Sequence, residues 1–223
     1  YCGFYSIAST SLIPRWLDNL KKEIALYPGL FKEPFDSLYL GGGTPTILNP
    51  GQLKEIMDCG FARYQFMNDR EMTIEVNPGD INMEKSKALK ATGFNRVNLG
   101  VQSFNDDELM FLGRRHDADD AKEAVKCLRE SGFDNIGMDL IYGLPGQSLE
   151  AWKNNLERAV EIAPEHISCY QLSIEKGTQF ANWKEKGLIE PIGEEAEESF
   201  FLITSQFLED YGYIHYKISN FAK

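Results

Sequence analysis

The sequence predicts an α/β fold: a partial (β/α)6 barrel, TIM-like, with parallel strands inside and helices outside. Three observations lead to it. Strand-like runs rich in β-branched and aromatic residues alternate with amphipathic helical patterns, which is the mark of βαβ units and a mainly parallel sheet. Six such runs can be counted in 223 residues, whereas a full eight-stranded barrel usually needs about 250. The special residues cluster just after the runs, at the strand ends where α/β folds carry their ligands. An open doubly wound sheet is the other closure this alternation allows.

The elements follow in order. FDSLYL at 35–40 reads as a strand ending in GGGTP, and MTIEV at 72–76 as one ending in NPGD. RVNLGV at 96–101 leads into QSFN, NIGMDLI at 135–141 into YGLPGQ, and HISCYQL at 166–172 into SIEKGT. YIHYKI at 213–218 is the sixth candidate. Helices are predicted over 14–27, with Leu17, Leu20, Ile24 and Leu26 apolar, and over 50–59 behind Asn49 as N-cap. Four more span 82–92 before Gly93, 118–131 before Gly132, 149–163 before Pro164, and 194–210 before Gly212. With no internal linker, one domain is expected over 1–223. It is expected to be cut at both ends, since it opens on Tyr1 rather than Met and stops at Lys223 right after a strand-like run.

Composition excludes several classes. Lys and Arg number 23 against 34 Asp and Glu, a formal charge of −11, and 43% of residues are hydrophobic. This is globular composition, not disorder. The acid excess argues against a nucleic-acid partner or an anionic membrane surface. No apolar run approaches the roughly 18 residues of a spanning helix. Four widely spaced cysteines read as free thiols in a reducing, cytoplasmic compartment.

The strongest local signal is GGGTP at 41–45. Three glycines leave backbone N–H and C=O groups open to a polar ligand. No Gly-Lys-Ser/Thr follows, so it is not a P-loop. A tight turn is the plainer alternative. Glu75 lies between Ile74 and Val76. If those face outer helices, it points into the barrel, satisfied either by ligand sugar hydroxyls or by a structural partner. Asp139 in MDLI poses the same two answers. Gln102 and Asn105 follow a strand, and LGRRH brings Arg114, Arg115 and His116. Arg114 suits either a carboxylate clamp or a surface ion pair. Turn chemistry explains much of YGLPGQ. Cys59, Cys127 and Cys169 read as packing residues, and the scattered histidines argue against a zinc site.

Together YCGFYS, LGGGTPT, IEVNPGD, LGVQSFND, LGRRH, DLIYGLPGQ, ISCYQLS and HYKISNFAK resemble one family over nearly the whole chain, in the right order. This is the oxygen-independent coproporphyrinogen III oxidase-like group of radical S-adenosylmethionine (SAM) proteins. The resemblance implies a [4Fe–4S] cluster held by Cys-x3-Cys-x2-Cys, with SAM on the open iron. Cys2 matches the third ligand, the first two being expected upstream of Tyr1. On this reading the 223 residues supply one of the three thiolates. Tyr1 matches the aromatic residue that lies against the cofactor. Gly42, Gly43 and Thr44 match the loop receiving the methionine amino group, and Glu75 the residue meeting the ribose. Gln102, Arg114 and Asp139 match further positions of the SAM pocket, and no catalytic residue is assigned.

True oxidases of the group carry a fourth cysteine two positions after the third. Here Phe4 stands there, and with KISNF it resembles the heme chaperone branch. That branch implies heme as ligand, a heme-acceptor protein and an electron donor. The alternative is an oxidase converting the porphyrinogen's propionates to vinyl groups. A third reading is a barrel enzyme binding phosphate or nucleotide at GGGTP, with Cys2 structural. A C-terminal domain covering the barrel mouth is expected beyond the chain.

Overall fold

The computed structural model describes residues 1, 3, 9–27 and 29–223. The first helix, α1 (Ile13–Ile24), carries Pro14 in its first turn, where the missing N–H costs nothing. After β1 (Phe35–Leu40), α2 (Pro50–Phe61) begins with a reciprocal cap. Gln52 N donates to Asn49 Oδ1 and Asn49 N to Gln52 Oε1, both at 3.0 Å. Next come β2 (Phe66–Val76), α3 (Met83–Thr92), β3 (Arg96–Gln102), α4 (Asp106–Phe111) and α5 (Ala118–Glu130). They are followed by β4 (Asn135–Tyr142), α6 (Leu149–Ile162), β5 (His166–Gln171), α7 (Gln179–Glu185) and α8 (Glu194–Asp210). The chain closes with β6 (Ile214–Lys217) and β7 (Asn220–Ala222). Asn82, Asp117 and Ser148 cap α3, α5 and α6 through their side-chain oxygens.

The seven strands form one sheet in the order β1-β2-β3-β4-β5-β7-β6. Every pairing from β1 to β5 is parallel, and the sheet curls into a half-barrel, as the sequence predicts. The last strand differs in detail from its expectation. YIHYKI does not run beside β5. The chain reverses after β6, and β7 enters antiparallel between β5 and β6. Cys169 N donates to Ser219 O at 2.8 Å at this junction. Three residues of β7 are too few to show a period of two, so the sequence alone merges hairpin and strand. The short helices α4 and α7 escape prediction for the same reason.

Alternation along the strands divides the sheet into two unlike faces. Ile74, Val97, Leu99, Ile136, Met138 and Ile167 are fully buried. They pack in one cluster with Leu53, Leu89, Leu128, Trp152 and Leu156 from the helices. Each such side chain contributes about 1.5–3 kcal/mol relative to exposure. Trp152 Nε1 donates to Thr204 Oγ1 at 2.7 Å, which ties α6 to α8 without stranding the indole N–H. The opposite face carries Glu71, Thr73 and Glu75 on β2, and Arg96, Asn98 and Gly100 on β3. It continues with Asp139 on β4 and His166 and Ser168 on β5. That inner face is where the site is built.

Two helix ends offer a test of the backbone argument. α3 ends on Gly93 at φ 111°, whereas α6 ends on Ala163 at φ 54°. A left-handed residue with a side chain costs about 1–2 kcal/mol, offset in part by the lower unfolded-chain entropy of alanine. Ala163→Gly is therefore expected to stabilise the protein by about 0.5–1 kcal/mol, and Gly93→Ala to destabilise it similarly. Urea unfolding midpoints measure both, and a lower midpoint for Ala163→Gly contradicts the argument.

Candidate functional site

Because β1 to β5 are parallel, their C-terminal ends open on one side, and the loops there surround a cavity of about 810 Å³. That is the size of a small-molecule site. Tyr1, Gly42, Gly43, Thr44, Glu75, Gln102, Arg114 and Asp139 all line it. Residues from six separate stretches of the sequence thus meet around one cavity. Cys2 and Phe4 lie outside the described residues. Tyr1 packs against Phe180 of α7, ring centroids 6.1 Å apart.

Ile74 and Val76 are buried under the helices, so Glu75 takes the inner face between them. It is already partnered within the chain. Tyr39 Oη donates to Glu75 Oε1 and Gly42 N to Glu75 Oε2, both at 2.8 Å. Burial, reinforced by Glu75, pushes the Tyr39 phenol well above its ordinary range. The neighbouring glycines serve two different ends. A Cβ on Gly41 would lie 2.5 Å from the Tyr39 ring and 2.8 Å from the Glu75 carboxyl carbon. At Gly42 and Gly43 the space is open, and glycine is favoured by φ of 83° and 56°.

Asp139 stands deeper. Its Oδ2 accepts from Asn98 Nδ2 at 2.7 Å, and Gly137 makes room for that amide, since a Cβ there would fall 2.3 Å from Asn98 Oδ1. Burial pushes the Asp139 carboxyl up to about 6. The Ser168 hydroxyl and Asn98 amide pull it back, while Glu75 adds to the rise. Asp139 Oδ1 is buried without a hydrogen bond of good geometry among the described residues.

On the opposite wall Arg114 Nη2 donates to Asn77 Oδ1 at 2.5 Å and to Gly100 O at 3.0 Å. It makes no ion pair among the described residues. The surface ion pair belongs to its neighbour Arg115, 3.4 Å from Asp80. Gln102, Arg114 and Asn77 converge on Gly100, where a Cβ would come 3.0 Å from Gln102 Nε2. Gln102 itself is 9% exposed and adopts φ 72°, a left-handed backbone rare for a residue with a side chain. Asn105 turns away from the cavity and caps α4, accepting from Asp107 N and Glu108 N. His116 is buried with Nε2 2.9 Å from Val101 O, and burial lowers its pKa.

Asn77, which accepts from Arg114, was given no role in the sequence reading, and two strand residues escaped it: Tyr39, which holds Glu75, and Asn98, which holds Asp139. Their signal was a polar or amphipathic residue at the alternate position of an otherwise apolar strand, in FDSLYL and RVNLGV. Cys127 and Cys169 are buried free thiols, and burial raises both pKa values.

Comparison with known proteins finds relatives over the whole chain. The whole chain aligns at 37% identity with a Bacillus subtilis protein named heme chaperone HemW, covering 60% of that protein. It aligns at 34% with the Escherichia coli protein of the same name, covering 59%. The chain therefore spans about three fifths of the length of the curated relatives it matches. Among solved structures, Escherichia coli coproporphyrinogen III oxidase (HemN), described as a radical SAM enzyme, superposes on all of this chain. The TM-score is 0.85 at 30% identity, over 52% of the oxidase chain. The family model of the radical SAM superfamily matches residues 1–159, and the chain belongs to that superfamily.

Proposed function

We propose that this chain is the cofactor-binding half-barrel of a heme chaperone. The observation that carries this reading is that relatives named heme chaperones, such as that of Bacillus subtilis, align over its full length. The superfamily implies a [4Fe–4S] cluster and SAM. The cavity suits SAM on two counts. Asp139 Oδ1 is a buried acceptor without a hydrogen bond of good geometry among the described residues, and the backbone at Gly42 and Gly43 is open to close approach.

In this reading Gly42, Gly43 and Thr44 receive the methionine end and Glu75 meets the ribose, its carboxylate retaining acceptor sites beyond those used by Tyr39 and Gly42. Gln102, Arg114 and Asp139 line the rest, Tyr1 lies against the cofactor, and Cys2 is one thiolate of the cluster. When bound, cluster and SAM supply one-electron chemistry at the sulfonium. The protein's own part is to orient the nucleoside and keep water out. Heme is then the cargo, passed to an acceptor protein, with a separate electron donor for the cluster, in a reducing cytoplasm. No helix among the described residues is long and apolar enough to cross a membrane. The second reading, oxidative decarboxylation of coproporphyrinogen III, is favoured by the likeness to the oxidase structure.

One experiment separates the two. The full-length protein, purified anaerobically with its cluster reconstituted, is expected to develop a heme Soret band on titration with hemin and to leave coproporphyrinogen III unchanged. Decarboxylation without heme binding would reverse the assignment.

Asp139 gives a second test. An acid raised from 3.8 to about 6 by folding disfavours the folded state increasingly as pH rises from 4 through 6. Asp139→Asn removes that burden. Its stability relative to the native protein is expected to grow between pH 4 and pH 8 by about 2 kcal/mol, while SAM affinity falls about tenfold. Unfolding curves at the two pH values and calorimetric titration with SAM measure the pair. A stability difference independent of pH contradicts the raised carboxyl.

A further inference from the structure

Among the described residues, Gln102 and Ala163 are the two non-glycines at positive φ. Ala163 ends a helix, where that conformation is common. Gln102 instead sits in the cavity wall, where the β3–β4 register shifts between Gly100 and Gln102. Such a backbone persists only where the surroundings over-determine it.

The residues after Gln102 supply the restraint. Ser103, fully buried, donates from Oγ to Glu108 Oε2 at 2.5 Å. Phe104 N donates to Asn155 Oδ1 at 2.5 Å, and Phe104 O accepts from Arg158 Nη1 at 2.5 Å. Asn155 Nδ2 in turn donates to Glu108 Oε2 at 3.0 Å. From the other side, Gln147 Nε2 donates to Glu108 Oε1 at 2.9 Å while Gln147 Oε1 accepts from Gly143 N at 2.8 Å. One carboxylate therefore gathers donors from the loop after β3, the loop after β4, and α6. Glu108 itself does not line the cavity.

We propose that Glu108 is a positioning residue for SAM: through Ser103 and Asn155 it holds Gln102 in its left-handed conformation and keeps that cavity wall in its binding shape. This rests on the cavity being the SAM pocket. A carboxylate suits the task because it accepts at every site, whereas an amide would turn an N–H toward one of three donors.

Calorimetric SAM affinity and thermal midpoints of the cluster-reconstituted holoprotein test it. Gln102→Ala and Glu108→Gln are each expected to weaken SAM binding about tenfold, and the double variant also about tenfold rather than a hundredfold, because both act on one element. Ser103→Ala, which cuts the same path, is expected to match Glu108→Gln and stands in for it if that variant does not fold. Binding by Glu108→Gln within about twofold of the native protein, or losses that multiply in the double variant, overturns the proposal. Native holoprotein that does not bind SAM overturns the pocket assignment and this proposal with it.

Discussion

The inner face of the half-barrel is polar, and its side chains pair sideways from strand to strand. A closed barrel fills its interior with apolar side chains. Here Tyr39 pairs with Glu75, Arg96 Nη1 with Glu71 at 2.9 Å, Asn98 with Asp139, and His166 Nε2 with the Tyr216 hydroxyl at 2.8 Å. Unpaired, each of these groups would carry a desolvation penalty comparable to a lost hydrogen bond or more. Paired, they form a rigid floor whose members sit on different strands. The same burial that requires pairing keeps His166 neutral, its pKa lowered to about 4 with Arg96 contributing. It also pushes the Asp139 carboxyl up to about 6.

Among the described residues Arg96 Nε, His166 Nδ1 and Asp139 Oδ1 on this face lack a hydrogen bond of good geometry. Of these Asp139 lines the cavity, which the left-handed backbones of Gly42, Gly43 and Gln102 also border. An orphaned buried oxygen and a strained backbone both cost stability. The folded state tolerates them because the apolar face of the same strands is packed without exposed members from Ile74 to Ile167. Stability comes from the outer layer and specificity from the inner one, and the two share strands at alternate positions.

The charge of −11 belongs mostly to neither layer. Glu194, Glu195 and Glu197 crowd the first turn of α8, Asp119 and Asp120 that of α5, and Asp106, Asp107 and Glu108 that of α4. Acidic groups at helix N-termini complement the helix dipole. Much of the acid excess is therefore explained by helix starts, and the global charge carries little information about the ligand. Glu108 is the exception, since it turns inward and joins two loops.

By itself the sequence determined what is local. The βα alternation, the cap at Asn49 and the glycine-rich strand ends were legible, because each rests on propensity or motif within a turn or two, and the family resemblance pointed to the eight residues that line the cavity. The doubled hairpin at β6 and β7 was not, since three residues show no period. Nor were the partners of Glu75, which accepts from Tyr39 and Gly42, nor those of Arg114, which donates to Asn77 and Gly100. These partners lie 36, 33, 37 and 14 residues away. Only strand register decides whether such distant groups meet, and register is a property of the assembled sheet, in which a slip of one residue would turn every inner side chain outward.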